Sequence, residues 1–125
     1  MTEETIRTGK KEASVYDELL ERMPEMEAWH GIRLDRLSAI YDREERELRI
    51  YCEVHPASGN KLKHDVDLIM VMYDKNDRIV DRSHTYLTKE KFFGFAVEEL
   101  SFYNLSPRKL KNIGRIRVYP AAWQT

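Results

Sequence analysis

Between Glu47 and Val54 the side chains alternate without a break: Leu48, Ile50, Cys52 and Val54 are apolar, while Glu47, Arg49, Tyr51 and Glu53 are polar or amphipathic. A period of two sets one row on a core and the other in water, so this segment is a half-buried strand and not a helix. The rest of the chain must then supply a second layer for the buried row. Upstream, Ile32 and Leu34 share one parity while Leu37, Ala39 and Tyr41 share the other, so a strand over 32–41 needs a bulge near Asp35-Arg36. The polar run Asp42-Arg43-Glu44-Glu45-Arg46 is the turn between the two strands.

Downstream, Pro56-Ala57-Ser58-Gly59-Asn60 signals a loop, and Val66–Tyr73 is apolar on both faces, the mark of a central strand. Asp74-Lys75-Asn76-Asp77 carries turn chemistry, and Ile79-Val80 restarts an extended run to Thr85-Tyr86-Leu87, which makes a hairpin. Phe93, Phe95 and Val97 alternate inward. Leu100 and Phe102 continue on the other parity, so the pattern predicts a second bulge at Glu98-Glu99. A last strand runs from Ile113 to Tyr119 with Ile116 and Val118 inward, and Pro120 ends its pairing. About six or seven short strands at this spacing, with no βαβ alternation, define an all-β chain, an antiparallel immunoglobulin-like sandwich.

Ahead of the strands, Ser14 and Asp17 resemble a capping box, and Val15, Leu19, Leu20 and Met23 fall on one helical face. One short amphipathic helix therefore precedes the sandwich; Pro24 ends it or opens a second turn carrying Met26 and Trp29. Residues 1–12 are polar, carry both charge signs and read as an arm. The division expected is 1–28 for arm and helix and 29–125 for the sandwich.

A chain of 125 residues buries about two-thirds of its unfolded surface and needs no staple. Its single cysteine cannot form an internal disulfide, no run of apolar residues is long enough to insert in a membrane, and the first residues lack the apolar stretch of a secretory signal, so a cytoplasmic protein is expected. With 21 Lys and Arg against 22 Asp and Glu, the basic excess usual for nucleic-acid binding is missing. The charges nevertheless segregate into an acidic segment over Asp17–Glu27 and a basic end over Arg108–Arg117, which can face each other within one chain or between two copies.

The stretch from Leu48 to Val80 resembles the FxLYD-type domains, small immunoglobulin-like sandwiches of bacterial proteins. The matching residues are Glu53-Val54, Ser58-Gly59, Leu62, Asp65-Val66 and Tyr73-Asp74-Lys75-Asn76-Asp77-Arg78-Ile79-Val80. Met70 and Met72 stand where the name-giving Phe and Leu would be, and Asp77 where a turn glycine is usual. The resemblance implies a fold without a general chemistry. From the residues alone, Tyr73 and Asp74 are scaffold groups, Asp74 accepting backbone N–H bonds that tighten the turn.

No reactive constellation stands out. Cys52 and His55 point to opposite strand faces and cannot chelate together, and the run His64-Asp65-Val66-Asp67 splits its ligands in the same way, so no metal site is assigned. Cys52 is on the inward parity, where a thiol is inert, and the pairs Glu44-Glu45 and Glu98-Glu99 share one environment each. Neither a catalytic residue nor a cofactor is assigned, and the chain is read as a non-enzyme. Arg108, Lys109, Lys111, Arg115 and Arg117 are the solvated side of a strand end in preference to a nucleic-acid surface. The function expected is a non-catalytic recognition or assembly module for a protein partner or a second copy, with Leu19, Leu20, Met23 and Trp29 as binding residues. The alternative is a small binding protein for carbohydrate or another polar ligand, stacking on Tyr51, Tyr86, Trp29 or Trp123.

Overall fold

The computed structural model describes residues 15–122. In chain order they form a 3-10 turn (Val15–Leu19), β1 (Leu20–Arg22), α1 (Pro24–Trp29), β2 (Ile32–Asp42), β3 (Glu47–Pro56), β4 (Val66–Asp74), β5 (Ile79–Leu87), β6 (Ala96–Phe102), α2 (Pro107–Lys111) and β7 (Ile113–Ala122). The arm over 1–12, Ser14 and Trp123 lie outside the described residues.

The alternating segment is β3, the middle strand of a three-stranded sheet in the order β2-β3-β6. Its Leu48, Ile50, Cys52 and Val54 are fully buried against Leu68, Met70, Met72, Ile116 and Val118 of a four-stranded sheet in the order β1-β7-β4-β5. Each large side chain so buried contributes about 1.5–3 kcal/mol, enough to lock the two sheets over one core. β4 lies between β7 and β5 and is buried on both faces from Val66 to Met72, as its unbroken apolar run requires. The chain is mostly β, and among the described residues no helix is long and apolar enough to cross a membrane.

The β2 bulge falls where the parity change demands it. The β2–β3 register slips between Asp35 and Ser38, Arg36 takes φ +52°, and the extra residue returns both Leu34 and Ala39 to the core. The β4–β5 hairpin is closed by Asp74, whose Oδ1 accepts from Asn76 N at 2.8 Å and Arg78 N at 3.0 Å, with Asp77 at φ +63° in the turn. Gly114 lets β7 pass close to this hairpin, since a Cβ there would stand 2.8 Å from the Asp74 carbonyl oxygen.

Three expectations are corrected. β6 has no bulge: its pairing with β3 runs unbroken from Val54↔Ala96 to Leu48↔Phe102, which sends Leu100 and Phe102 inward and Val97 out to solvent, while Phe93 and Phe95, in the loop before β6, are exposed as well. Both parities of this stretch are apolar, and the ladder with β3 decides between them. Pro120 does not end β7, which continues to Ala122; β1 stops opposite Val118, so beyond it β7 has a free edge that tolerates proline. The segment before Pro24 is not one helix but a 3-10 turn and a short strand, with Pro24 opening α1.

β1 pairs in parallel with β7, setting Glu21 opposite Arg117. The acidic and basic ends therefore meet within one chain: the Glu21 carboxylate lies 3.2 Å from Arg117 Nε and 3.5 Å from Arg115 Nη1. Glu27, at the far end of the acidic segment, is buried and pairs with Arg22.

Candidate recognition site

The four residues expected to bind differ in exposure. Leu19 and Leu20 are half-buried and pack on the sandwich core. Met23 is half-buried at the start of α1, where its carbonyl accepts Glu27 N. Trp29 is 78% exposed at the end of α1.

Three large apolar side chains close in sequence are exposed at the start of β6 and just before it, Phe93 (69% exposed), Phe95 (53%) and Val97 (62%). Val97 is on β6 and Phe95 just before it, Phe93 stands ahead of a bend at Gly94 (φ +80°), and the buried Phe92 and Leu100 with the half-buried Ala96 anchor the stretch. Phe95 stacks on the His55 imidazole at 5.3 Å with 9° between planes, and Lys61 Nζ lies 5.7 Å from the Phe93 ring centroid. Beside them a groove of about 280 Å³ opens between β5 and β6, lined by Tyr86, Thr88, Phe92, Phe93, Phe95 and Glu98. Burial raises the Glu98 carboxyl above its ordinary range. Sequence parity missed this face because it assigned these side chains to the core; the register with β3 turns Val97 outward, and Phe93 and Phe95 lie in the loop ahead of that ladder.

A second concavity, of about 420 Å³, sits on the outer face of the four-stranded sheet. The buried Asp67 carboxylate meets His84 Nδ1 at 3.0 Å, Tyr86 packs edge-on against His84 at 5.1 Å, and Arg82, Ile69 and Ala121 complete the wall. Hairpin pairing makes this site: Asp67 is opposite Tyr86, so His84 is its diagonal neighbour. Counting outward from the Asp74 turn would miss it, because the hairpin register slips by one residue between Met72 and Tyr73.

Two further chemically suggestive features among the described residues are Cys52 and a carboxylate–histidine trio. Cys52 is buried, and desolvation, reinforced by Glu98 and Glu27, pushes its thiol up to about 12, which removes the thiolate a nucleophile needs. Asp35, Glu53 and His55 converge across β2 and β3 with ligand atoms within 4.8 Å of one another. Sequence missed this cluster because Asp35 joins it only through its pairing with Glu53. Its carboxylates could hold a cation, but two guanidiniums already neutralise them, Arg33 at 3.4 Å from Asp35 and Arg36 at 3.6 Å from Glu53. The backbone N–H of Arg36, with the charges of Arg36 and Arg33, holds the Asp35 carboxyl below the usual carboxylate range.

No protein-family model, curated protein or solved structure matches this chain.

Proposed function

We propose that the chain is a non-catalytic recognition module on an immunoglobulin-like sandwich, engaging its partner through the face that carries Phe93, Phe95 and Val97. One observation carries the reading: three large apolar side chains on consecutive alternate positions stand in solvent, although the same chain buries Phe92 and Phe102 beside them. A contiguous exposed apolar face on a well-packed domain marks an interaction site. Supporting the fold assignment, the chain changes sheets between β1 and β2, β3 and β4, β5 and β6, and β6 and β7, crossings in keeping with a Greek-key sandwich. The test is the combined Phe93→Ser, Phe95→Ser and Val97→Thr variant. Its unfolding free energy is expected within about 1 kcal/mol of wild type. A loss of several kcal/mol would make these residues structural and overturn the reading.

The Asp67–His84 concavity favours a second reading, a small polar or carbohydrate ligand held by the carboxylate, the imidazole and the Tyr86 ring. A thermal-shift screen of neutral and charged sugars should then show a hit that Asp67→Asn abolishes. A screen with no hit removes this reading.

A further inference from the structure

We propose that the loop end of the sandwich bearing Trp29, Phe93 and Phe95 docks on an anionic phospholipid surface; the proposal rests on the reading of Phe93 and Phe95 as recognition residues. Three connections meet at this end: the α1–β2 junction at residues 29–31, the β3–β4 loop at 57–65 and the β5–β6 loop at 88–95. They are tied together by backbone bonds. Ala57 N donates to the Gly31 carbonyl at 2.9 Å and Gly94 N to the Asn60 carbonyl at 2.8 Å, while Lys89 N donates to Asp65 Oδ1 at 2.7 Å. The His30 and His64 rings meet edge to face at 5.3 Å between the first two connections. The end is therefore a fixed platform and not three separate loops.

Its chemistry is aromatic and basic together. The two long loops carry Lys61, Lys63, Lys89 and Lys91, all exposed, against only Asp65 and Glu90, and Asp65 is already engaged by the Lys89 amide. Trp29, Phe93 and Phe95, on the same three connections, are exposed as well, and Lys61 lies over the Phe93 ring. Lysines beside exposed aromatic rings complement a surface that is negative outside and apolar just beneath, the profile of an acidic bilayer leaflet. Single-stranded nucleic acid presents negative charge as well, but it requires open ring faces for its bases. Here one Phe95 face is already covered by His55 and Lys61 sits over the Phe93 ring, which leaves fewer open ring faces for bases. The opposite end of the sandwich provides a control, with Lys109 and Lys111 exposed on α2.

Co-sedimentation of the full chain with vesicles tests the assignment. Binding is expected to phosphatidylcholine vesicles containing phosphatidylserine, lost in high salt, and not to phosphatidylcholine alone. Phe93→Ser with Phe95→Ser, and separately Lys61→Ala with Lys89→Ala, should each weaken binding about tenfold or more, while Lys109→Ala with Lys111→Ala leaves it unchanged. In a Trp123→Phe background, Trp29 emission should shift to the blue on binding. Folded protein that ignores the acidic vesicles, that loses binding equally through the α2 lysines, or that binds a single-stranded oligonucleotide instead would overturn the proposal. If vesicles fail while the serine and threonine variant of Phe93, Phe95 and Val97 stays stable, the lipid assignment falls and the recognition reading stands. Collapse of that variant's fold would remove both.

Discussion

The Glu27 carboxylate accepts the backbone N–H of Leu34 at 3.0 Å, and the same carboxylate holds Arg22 through contacts of 2.6 and 3.0 Å. Leu34 is on β2, an outer strand of its sheet, and an amide that donates to a side chain there is not used by the ladder with β3. Asp17 does the same further along, its Oδ1 accepting Ala39 N at 2.8 Å. The segment before β2 thus covers a sheet edge with two carboxylates in place of a paired strand, a device that blocks edge-to-edge association.

Removing these acceptors should be costly in a graded way. Glu27→Ala strands a buried amide and frees Arg22, and is expected to lower stability by about 2–3 kcal/mol; Asp17→Ala, at a more open site, by about 1 kcal/mol. Urea unfolding measures both, and sedimentation should show more self-association in the double variant. A Glu27→Ala protein as stable as wild type would mean that the carboxylate does not stabilise this edge.

At the β2 bulge, Arg36 holds φ +52°, where an L side chain is strained and glycine is not. Its ion pair to Glu53 is long, at 3.6 Å, and Arg36 itself is largely exposed, so little is lost with the side chain. Arg36→Gly is expected to hold or raise stability, by up to about 1 kcal/mol, whereas Arg36→Val should cost about 1–2 kcal/mol because a β-branched residue resists this conformation. The urea midpoints of the pair decide it. Equal effects of Gly and Val would show that the backbone is not what limits this position.

What was legible in the sequence, and what was not, divides by range. Alternation at Leu48–Val54, the parity change at Asp35-Arg36 and the Asp74 turn are local patterns, and each appears where its residues placed it. The meeting of acidic and basic ends was also legible, as charge segregation, and is realised at Glu21 and Arg117. The outward turn of Phe93, Phe95 and Val97 was not, because both parities of 92–102 are apolar, pairing with β3 decides only from Ala96 onward, and the Gly94 bend separates Phe93 from that ladder. β1 escaped for the same reason: three residues become a strand only because β7 lies beside them. The pair Asp67 and His84, and the trio Asp35, Glu53 and His55, likewise exist only through cross-strand register.

Cys52 should behave as a core residue and not as a reagent. With its thiol pushed up to about 12 and no access to solvent, modification must wait for the protein to open. Reaction with an aromatic disulfide at about pH 8 is expected to be slow and to accelerate sharply across the urea transition. Cys52→Ser should cost about 1–3 kcal/mol, since it places a hydroxyl among Leu48, Ile50 and Val54. Prompt stoichiometric labelling of the folded protein would contradict this.

His30 links the loop end to pH. Its Nδ1 is buried without a hydrogen-bond partner, and burial, then the charges of His64 and Lys63, lowers its pKa from the ordinary value of 6.5. As pH falls through about 6.5 the unfolded chain takes up this proton before the folded one does. The unfolded state then binds more protons, so stability declines as pH falls, from there until the folded His30 is itself protonated, and is unaffected by this group at higher pH. The melting temperature should therefore drop between about pH 7.5 and about 5.5, and His30→Gln should flatten that drop without removing the losses that follow in stronger acid, where Asp35 and Asp77, both held below the usual carboxylate range, take up protons. Parallel melting profiles for the variant and wild type across that interval would show that His30 does not titrate against the fold.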